Sequence, residues 1–165
     1  MGIKVYHGST VIVKQPLCRV GRMNLDFGQG FYVTELRQQA IDWARNIARR
    51  EGGTPLLNSY LLNRDAILTE ARSKVFTAYD QDWLLFIVAA RRGFDVAASF
   101  DYVEGGVAND RVVDTVNLYM RGLMDIDTAL QRLSQHLPNN QMCVLNQDLI
   151  DKYLTQLSQV ESWVC

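Results

Sequence analysis

The chain has 165 residues, of which 48% are hydrophobic and 21% are charged, a composition typical of a globular protein with its own core. Its 17 basic and 18 acidic residues give a net charge of −1, so no general electrostatic attraction to nucleic acid is expected. Three scattered cysteines and two histidines argue against a disulfide framework and a structural zinc site, and favour reduced thiols in a cytoplasmic protein. The longest apolar run, 83–90, is too short to cross a membrane. We therefore predict one cytoplasmic domain over residues 1–165, with no metal and no membrane partner.

Hydrophobic periodicity and turn residues predict the elements in chain order. The first half contains strands over 3–7, 11–13 and 56–62, an extended piece at 66–68, and a helix over 35–50 that Thr34 caps and Gly52-Gly53 ends. The second half contains helices over 80–92, 110–120 and 147–154, a helix that Asp127 caps and Pro138 stops, and strands over 94–103, 142–145 and 160–164. Asp80 or Asp82 is expected to cap the helix over 80–92. Because strands and helices do not alternate strictly, we predict an α+β fold rather than a parallel sheet.

Residues 26–34, Asp-Phe-Gly-Gln-Gly-Phe-Tyr-Val-Thr, combine two glycines with a short strand and the start of a helix. Gly28 and Gly30 can take positive φ and let another molecule approach the backbone closely. This pattern indicates a ligand-binding corner. A glycine turn between two packed strands is the alternative interpretation.

Two short motifs lie in a meaningful order. His7 is in Tyr-His-Gly-Ser at the end of the first predicted strand, and Tyr32 is in Gly-Phe-Tyr-Val-Thr about 25 residues later. The pair resembles the nicotinamide-binding signature of ADP-ribosyltransferases of the diphtheria-toxin and poly(ADP-ribose) polymerase type. Longer segments look like the bacterial family grouped as domain of unknown function 3990, over nearly the whole chain: 39–44, 83–87 with Arg91, 105–110 and 141–143.

The resemblance implies split β-sheets flanked by helices, with NAD bound as co-substrate in a cleft between them. It implies that His7 hydrogen-bonds a ribose and that the Tyr32 ring stacks on nicotinamide, roles that suit an imidazole and a phenol. By the same resemblance, the remaining cofactor-binding residues would be Gly8, Ser9, Gly28, Gly30 and Phe31.

The sequence departs from the better-known members at their third motif. They carry a glutamate on a late strand, whereas the corresponding strand here begins near Gln141, which can bond a hydroxyl but has no charge. Asp110 is the nearest candidate for the missing carboxylate. The alternatives are that Asp110 caps the helix over 110–120 and that Gln141 is solvated at a strand end.

The resemblance implies an NAD-dependent mono-ADP-ribosyltransferase that acts on a macromolecular acceptor, expected to be a protein. By analogy with such enzymes, the protein would act as a bacterial toxin or effector and would have a partner protein that neutralises it. Two alternatives stay open: a non-catalytic module that binds NAD or ADP-ribose, favoured by the missing glutamate, and an interaction protein that keeps the fold without the pocket.

Overall fold

The fold places helices around two β-sheets, in a computed structural model that describes residues 2–20, 25–108 and 110–162. The first sheet has the order β1-β3-β7, with β1 (Ile3–Ser9), β3 (Leu56–Leu62) and β7 (Leu154–Ser162) all antiparallel to their neighbours. The second sheet has the order β2-β6-β5-β4, formed by β2 (Phe31–Val33), β6 (Asn140–Val144), β5 (Tyr102–Gly106) and β4 (Ser73–Val75). Its β4–β5 pair is parallel and its other pairs are antiparallel. The predicted α+β class is confirmed.

The helices of the described chain are α1 (Arg37–Glu51), α2 (Arg64–Glu70), α3 (Gln81–Arg91), α4 (Asp110–Met120), α5 (Ile126–Leu133) and α6 (Gln147–Tyr153). Short 3₁₀ turns lie at Cys18–Val20 and Val96–Ser99. Helix α1 covers the first sheet, where Ala40 and Ile41 pack on Leu57. Within the described residues, none of these helices combines the length and the apolar character that crossing a bilayer needs.

The second sheet is buried on both faces, because its side chains alternate between two hydrophobic cores. Tyr32 and Cys143 belong to the face that packs on a core containing Phe27, Trp83 and the helices α3, α4 and α5. Phe31, Met142 and Val144 belong to the opposite face, which packs on Val5 and Tyr60. The second sheet is therefore the central layer of the molecule.

The two sheets meet at a backbone bridge between β1 and the residue that follows β2. The Tyr6 amide donates to the Thr34 carbonyl at 2.8 Å, and the Thr34 amide donates to the Tyr6 carbonyl at 3.0 Å. From there β1 pairs with β3, whereas β2 pairs with β6. The bridge is thus the point at which β1 and β2 meet before each strand pairs into a different sheet.

A buried ionic network ties α2 to the second sheet. The Glu104 carboxylate accepts from Arg64 Nε at 2.8 Å, from Arg64 Nη2 at 2.7 Å and from the Tyr102 hydroxyl at 2.6 Å. This bidentate pairing raises the pKa of the Arg64 guanidinium. Because Glu104 is only 4% exposed, these bonds are what permit a carboxylate at this depth.

Three strand predictions are wrong: 11–13, 66–68 and most of 94–103, where Val96–Ser99 forms a 3₁₀ turn and β5 begins only at Tyr102. Residues 11–13 form no strand, since side chains take their backbone groups: Val13 N–H donates to Asn58 Oδ1 at 3.0 Å and the Tyr60 hydroxyl donates to the Val13 carbonyl at 2.6 Å. Residues 66–68 lie inside α2, whose start is capped by Asn63 accepting from the Ala66 amide.

Two of the predicted helix caps are also wrong, whereas Asp80 is confirmed as the cap of α3. The N-cap of α1 is Leu36, because Thr34 is held in the bridge to Tyr6 and its hydroxyl donates to the Asn140 carbonyl at 2.9 Å. The cap of α5 is Asp125 rather than Asp127, since the Asp125 carboxylate accepts from the Thr128 amide at 2.7 Å.

Replacing Asp80 with alanine is expected to lower the free energy of unfolding by about 1 kcal/mol, because the Trp83 amide loses its acceptor at 2.9 Å. Urea denaturation measures the change. Asp82→Ala, at the second residue of the same helix, is the control, and its exposed ion pair with Lys74 predicts a smaller loss. Equal losses in the two variants would contradict the capping role of Asp80.

Candidate functional site

His7 and Tyr32 meet beside the bridge between the sheets. His7 Nδ1 lies 2.7 Å from the Tyr32 carbonyl oxygen. A carbonyl can only accept, so Nδ1 carries the proton, and in the neutral ring Nε2 is then an acceptor. The described residues provide no hydrogen-bond partner for Nε2. The imidazole therefore offers an oriented acceptor to a hydroxyl or amide donor.

Burial lowers the pKa of His7 below its ordinary value of 6.5, and the hydrogen bond to the Tyr32 carbonyl opposes that shift less strongly. The unfolded chain therefore binds a proton before the folded chain does as pH falls through about 6.5. Between pH 7.5 and 5.5, wild type should lose up to about 1 kcal/mol more stability than His7→Gln. Chemical denaturation at both pH values checks this.

The control for that comparison is His136→Gln, at the other histidine of the chain. It shows how much of the change any loss of a histidine would cause. A His7→Gln variant with the pH dependence of wild type would mean that His7 is protonated equally easily in the folded and unfolded chains.

Tyr32 is held by its hydroxyl as well as by its ring. The hydroxyl donates to the Gly28 carbonyl at 2.5 Å and accepts from the Phe27 amide at 3.1 Å. Burial, followed by the nearby Cys143 thiol, raises the pKa of the phenol, so it stays neutral. Tyr32 is thus a fixed neutral aromatic group, and residues 26–28 determine where its ring lies.

Each predicted site glycine has close contacts with the protein itself. A Cβ at Gly8 would lie 2.0 Å from the Ala40 carbonyl oxygen, and one at Gly30 would lie 2.6 Å from both Cys143 Sγ and the Val144 carbonyl oxygen. Gly28 has φ 93°, and a Cβ there would lie 2.8 Å from Ala97 Cβ. Packing explains why these positions are glycine. Their contact with a ligand stays a prediction.

Phe31 and Ser9 flank the same region. The Phe31 ring is 6% exposed and its centroid is 4.4 Å from that of the His7 ring, so it supports the imidazole. The Ser9 hydroxyl accepts from the Val11 amide at 3.3 Å, which closes the turn after β1.

Gln141 lies on β6, on the same face of the second sheet as Tyr32. Tyr32 lies opposite Cys143, and Gln141 is two residues before Cys143, opposite Gly105. Gln141 is 4% exposed, and its Nε2 has no hydrogen-bond partner among the described residues. The prediction of a solvated strand end is therefore wrong, and an unpaired buried donor remains.

The structure describes the backbone of Asp110, the candidate carboxylate, but not its side chain. Its backbone begins α4, and Asn109 lies outside the described residues. The role of Asp110 stays a prediction.

A cleft of about 560 Å³ lies near the start of β6, lined by Leu36, Gln39, Trp43, Val107, Ala108 and Asn139 among others. We call it the Gln39 cleft. Both Nε2 and Oε1 of Gln39 are closed off from solvent without a hydrogen-bond partner among the described residues. An unpaired carboxamide costs about 1–3 kcal/mol, so a ligand with a complementary donor and acceptor would offset that cost.

The sequence interpretation missed Gln39 and placed Trp43 only on the apolar face of a helix. Gln39 is three residues after Leu36 and four before Trp43, so it lies at the border of that face. A polar residue at such a border was the available signal.

A larger cavity, of about 930 Å³, lies at the other end of the second sheet. It is lined by the turn at 17–19, by residues between Gly93 and Asp101, and by 145–148. Gly28 is the one predicted site residue in its lining. His7, Tyr32 and Gln141 are not among the residues that line either cavity.

The remaining reactive groups are poorly placed for nucleophilic chemistry. Burial raises the pKa of the Cys18 thiol to about 11, and burial also raises the pKa of Cys143. No group of three or more His, Cys, Asp or Glu side chains within the described residues is arranged to hold a metal ion.

Comparison with known proteins places the chain in one protein family. The search of curated proteins and the search of solved structures found no match. A family described as protein of unknown function, DUF3990, matches residues 3–155, which is most of the chain. The chain therefore belongs to the DUF3990 family.

Proposed function

We propose that the protein is an NAD-dependent mono-ADP-ribosyltransferase that acts on a macromolecular acceptor, most simply a protein. NAD would supply the ADP-ribose group: the bond between ribose and nicotinamide breaks, and the ribose joins an acceptor atom that gives up a proton. The observation that supports the proposal is the hydrogen bond between His7 Nδ1 and the Tyr32 backbone carbonyl, beside the bridge where β1 and β2 meet. The motif resemblance requires these two residues to share one site, and they are neighbours.

The state of each side chain suits the proposed role. The bond to the Tyr32 carbonyl leaves His7 Nε2 as an acceptor, which a ribose hydroxyl can use as a donor. Tyr32 is neutral and held at its hydroxyl, so its ring needs no further ordering to stack on a planar heterocycle. A site with both residues preset loses little entropy on binding.

The unpaired amides fit a carboxamide-bearing ligand. Nicotinamide carries one carboxamide, with two donors and one acceptor, and the Gln39 amide has an unused donor and an unused acceptor. The Trp43 ring lines the same cleft. The cleft volume of about 560 Å³ is in the range of small-molecule sites. His7, Tyr32 and Gln141 do not line this cleft, so we assign it to a second part of the site, which would bind a carboxamide-bearing group of the ligand or of the acceptor.

Gln141 would act on the ribose next to nicotinamide. Its Nε2 is an unpaired buried donor on the face that carries Tyr32, so it can donate to a ribose oxygen but cannot stabilise positive charge as a carboxylate would. Asp110 would supply that charge. Because the Gln141 position carries no glutamate, the transferase would be slower than the better-known members and limited to single additions.

A non-catalytic NAD-binding module is the second candidate. The uncharged Gln141 at the strand position where better-known members carry a glutamate favours it. This candidate predicts saturable NAD binding without release of nicotinamide.

The test follows two products at once. Purified protein is mixed with bacterial lysate and NAD labelled in its adenylate half, and label on macromolecules is measured together with free nicotinamide. Wild type is compared with Asp110→Ala and Gln141→Ala. Label transfer that falls at least tenfold in Asp110→Ala supports the transferase and gives Asp110 its role.

The other outcomes separate the alternatives. Nicotinamide release without label on macromolecules would mean an NAD glycohydrolase. If wild type gives neither product, the enzyme proposal is wrong, and calorimetry with NAD then decides between a binding module and an interaction protein. His136→Gln, a substitution at the other histidine, is prepared and assayed in the same way and shows whether preparing a variant changes the two signals by itself.

A further inference from the structure

We propose that Asp26 is a positioning residue of the candidate site, joining the turn that anchors Tyr32 to the wall of the Gln39 cleft at Ala108. The inference rests on the proposed function, because it concerns how the turn that anchors Tyr32 and the wall of the Gln39 cleft are held in a fixed relative position. Neither the motif resemblance nor the family match gives Asp26 a role.

The Asp26 carboxylate has contacts in two directions. Its Oδ1 accepts from Arg91 Nε at 2.7 Å, and its Oδ2 faces the Ala108 amide at 3.4 Å. Both charged side chains are largely buried, with 13% of Asp26 and 21% of Arg91 exposed. Arg91 is the last residue of α3, where the helix dipole also favours a cation. This is a fixed pair rather than a loose surface contact.

The backbone next to Asp26 holds Tyr32. The Phe27 amide and the Gly28 carbonyl both bond the Tyr32 hydroxyl, and the Gly28 amide closes the turn on the Leu25 carbonyl at 3.1 Å. The Phe27 ring is fully buried against Phe76 and Phe86. A shift of this turn would therefore move the end of the Tyr32 ring.

The other contact of Asp26 lies on the cleft wall. Ala108 lines the Gln39 cleft beside Val107, whose carbonyl accepts from the Tyr79 hydroxyl at 2.7 Å. The backbone then leads through residue 109 into α4, which begins at Asp110. One carboxylate thus spans the turn below Tyr32 and the Val107–Ala108 segment of the cleft wall. Catalytic sites lose much of their rate when such parts shift by about 1 Å.

The test compares two aspartates of the same chemistry. Asp101 also pairs with an arginine and a backbone amide, since it accepts from Arg72 Nη2 at 3.0 Å and from the Arg72 amide at 3.1 Å, and it lies in the larger cavity. Asp26→Asn and Asp101→Asn are followed by amide hydrogen exchange, by the NMR signals of the Tyr32 ring and by calorimetry with NAD.

Asp26→Asn is expected to speed exchange at the Ala108 and Phe27 amides about tenfold, shift the Tyr32 ring signals and weaken NAD binding about fivefold or more. Asp101→Asn should leave all of these as in wild type. Arg91→Gln, which keeps the Asp26 carboxylate, should change them in the same direction if Asp26→Asn does not fold.

Two results would overturn the inference: unchanged Tyr32 signals together with unchanged Ala108 exchange in Asp26→Asn, or equal changes in Asp101→Asn. A wild-type protein that does not bind NAD would instead refute the proposed function. Exchange at Ala108 and the Tyr32 signals would then still decide whether Asp26 couples the two segments.

Discussion

Replacing Gly8 with alanine is expected to lower the free energy of unfolding by about 3 kcal/mol or more, and the melting temperature by roughly 6–12 °C. The added Cβ would lie 2.0 Å from the Ala40 carbonyl oxygen and 2.8 Å from the Ala44 nitrogen. These are backbone atoms of α1, which cannot turn away as a side chain can. The helix must move off β1, and calorimetric or denaturant unfolding measures the cost.

Gly122→Ala is the control for this prediction. Nothing lies within 4 Å of a Cβ at Gly122, whose φ is 72°, so its cost is left-handed strain of about 1–2 kcal/mol. If Gly8→Ala is no more destabilising than Gly122→Ala, the packing of α1 on β1 is looser than the structure shows. If Gly8→Ala loses activity, displacement of α1 is the first explanation, ahead of the loss of a contact between Gly8 and a ligand.

Replacing Tyr32 with alanine should weaken NAD binding about 10- to 100-fold, because stacking on an aromatic side chain is worth about 1–3 kcal/mol per base. Calorimetric titration with NAD measures the dissociation constant. Tyr32→Phe separates the two features of the residue. It keeps the ring and removes the bonds to Phe27 and Gly28, so it should cost about 1 kcal/mol of stability and a smaller part of the affinity.

Tyr119→Ala controls for the loss of a partly buried tyrosine from the same core. It should destabilise the protein without a comparable loss of NAD affinity. Affinity that falls equally in Tyr119→Ala and Tyr32→Ala would contradict a stacking role for Tyr32. NAD binding of wild-type strength in Tyr32→Ala would contradict it outright.

Sequence periodicity predicted the elements whose signals are local. The strand at Leu56–Leu62 has the predicted bounds, and α1 ends at Gly52, which has a positive φ as expected of a helix terminator. The errors arise where distant groups decide. The segment 11–13 is bonded by Asn58 and Tyr60 from β3, and β4 exists by pairing with β5. No local pattern reports such contacts.

The candidate site was predictable only in part. The order of the His7 and Tyr32 motifs predicts a shared site. The structure shows a hydrogen bond from the His7 ring to the Tyr32 backbone carbonyl, and a shared ligand site stays a prediction. The Gln39 cleft brings together α1, the segment after β5 and the residue before β6, which are separated by up to about 100 residues in the chain. For Gln141 the sequence left two interpretations open, a contact with the ligand and a solvated strand end. Its burial follows from pairing with Gly105 in a sheet covered on both faces.

The bridge between Tyr6 and Thr34 has a mechanical consequence. Its two hydrogen bonds use only backbone atoms, so they do not depend on which side chains stand at these two positions. The two sheets also share one hydrophobic core, which contains Val5 and Tyr60 from the first sheet and Phe31 and Val144 from the second. The bridge and this core together therefore fix how β1 lies against β2, much as a rivet and an adhesive fix two plates.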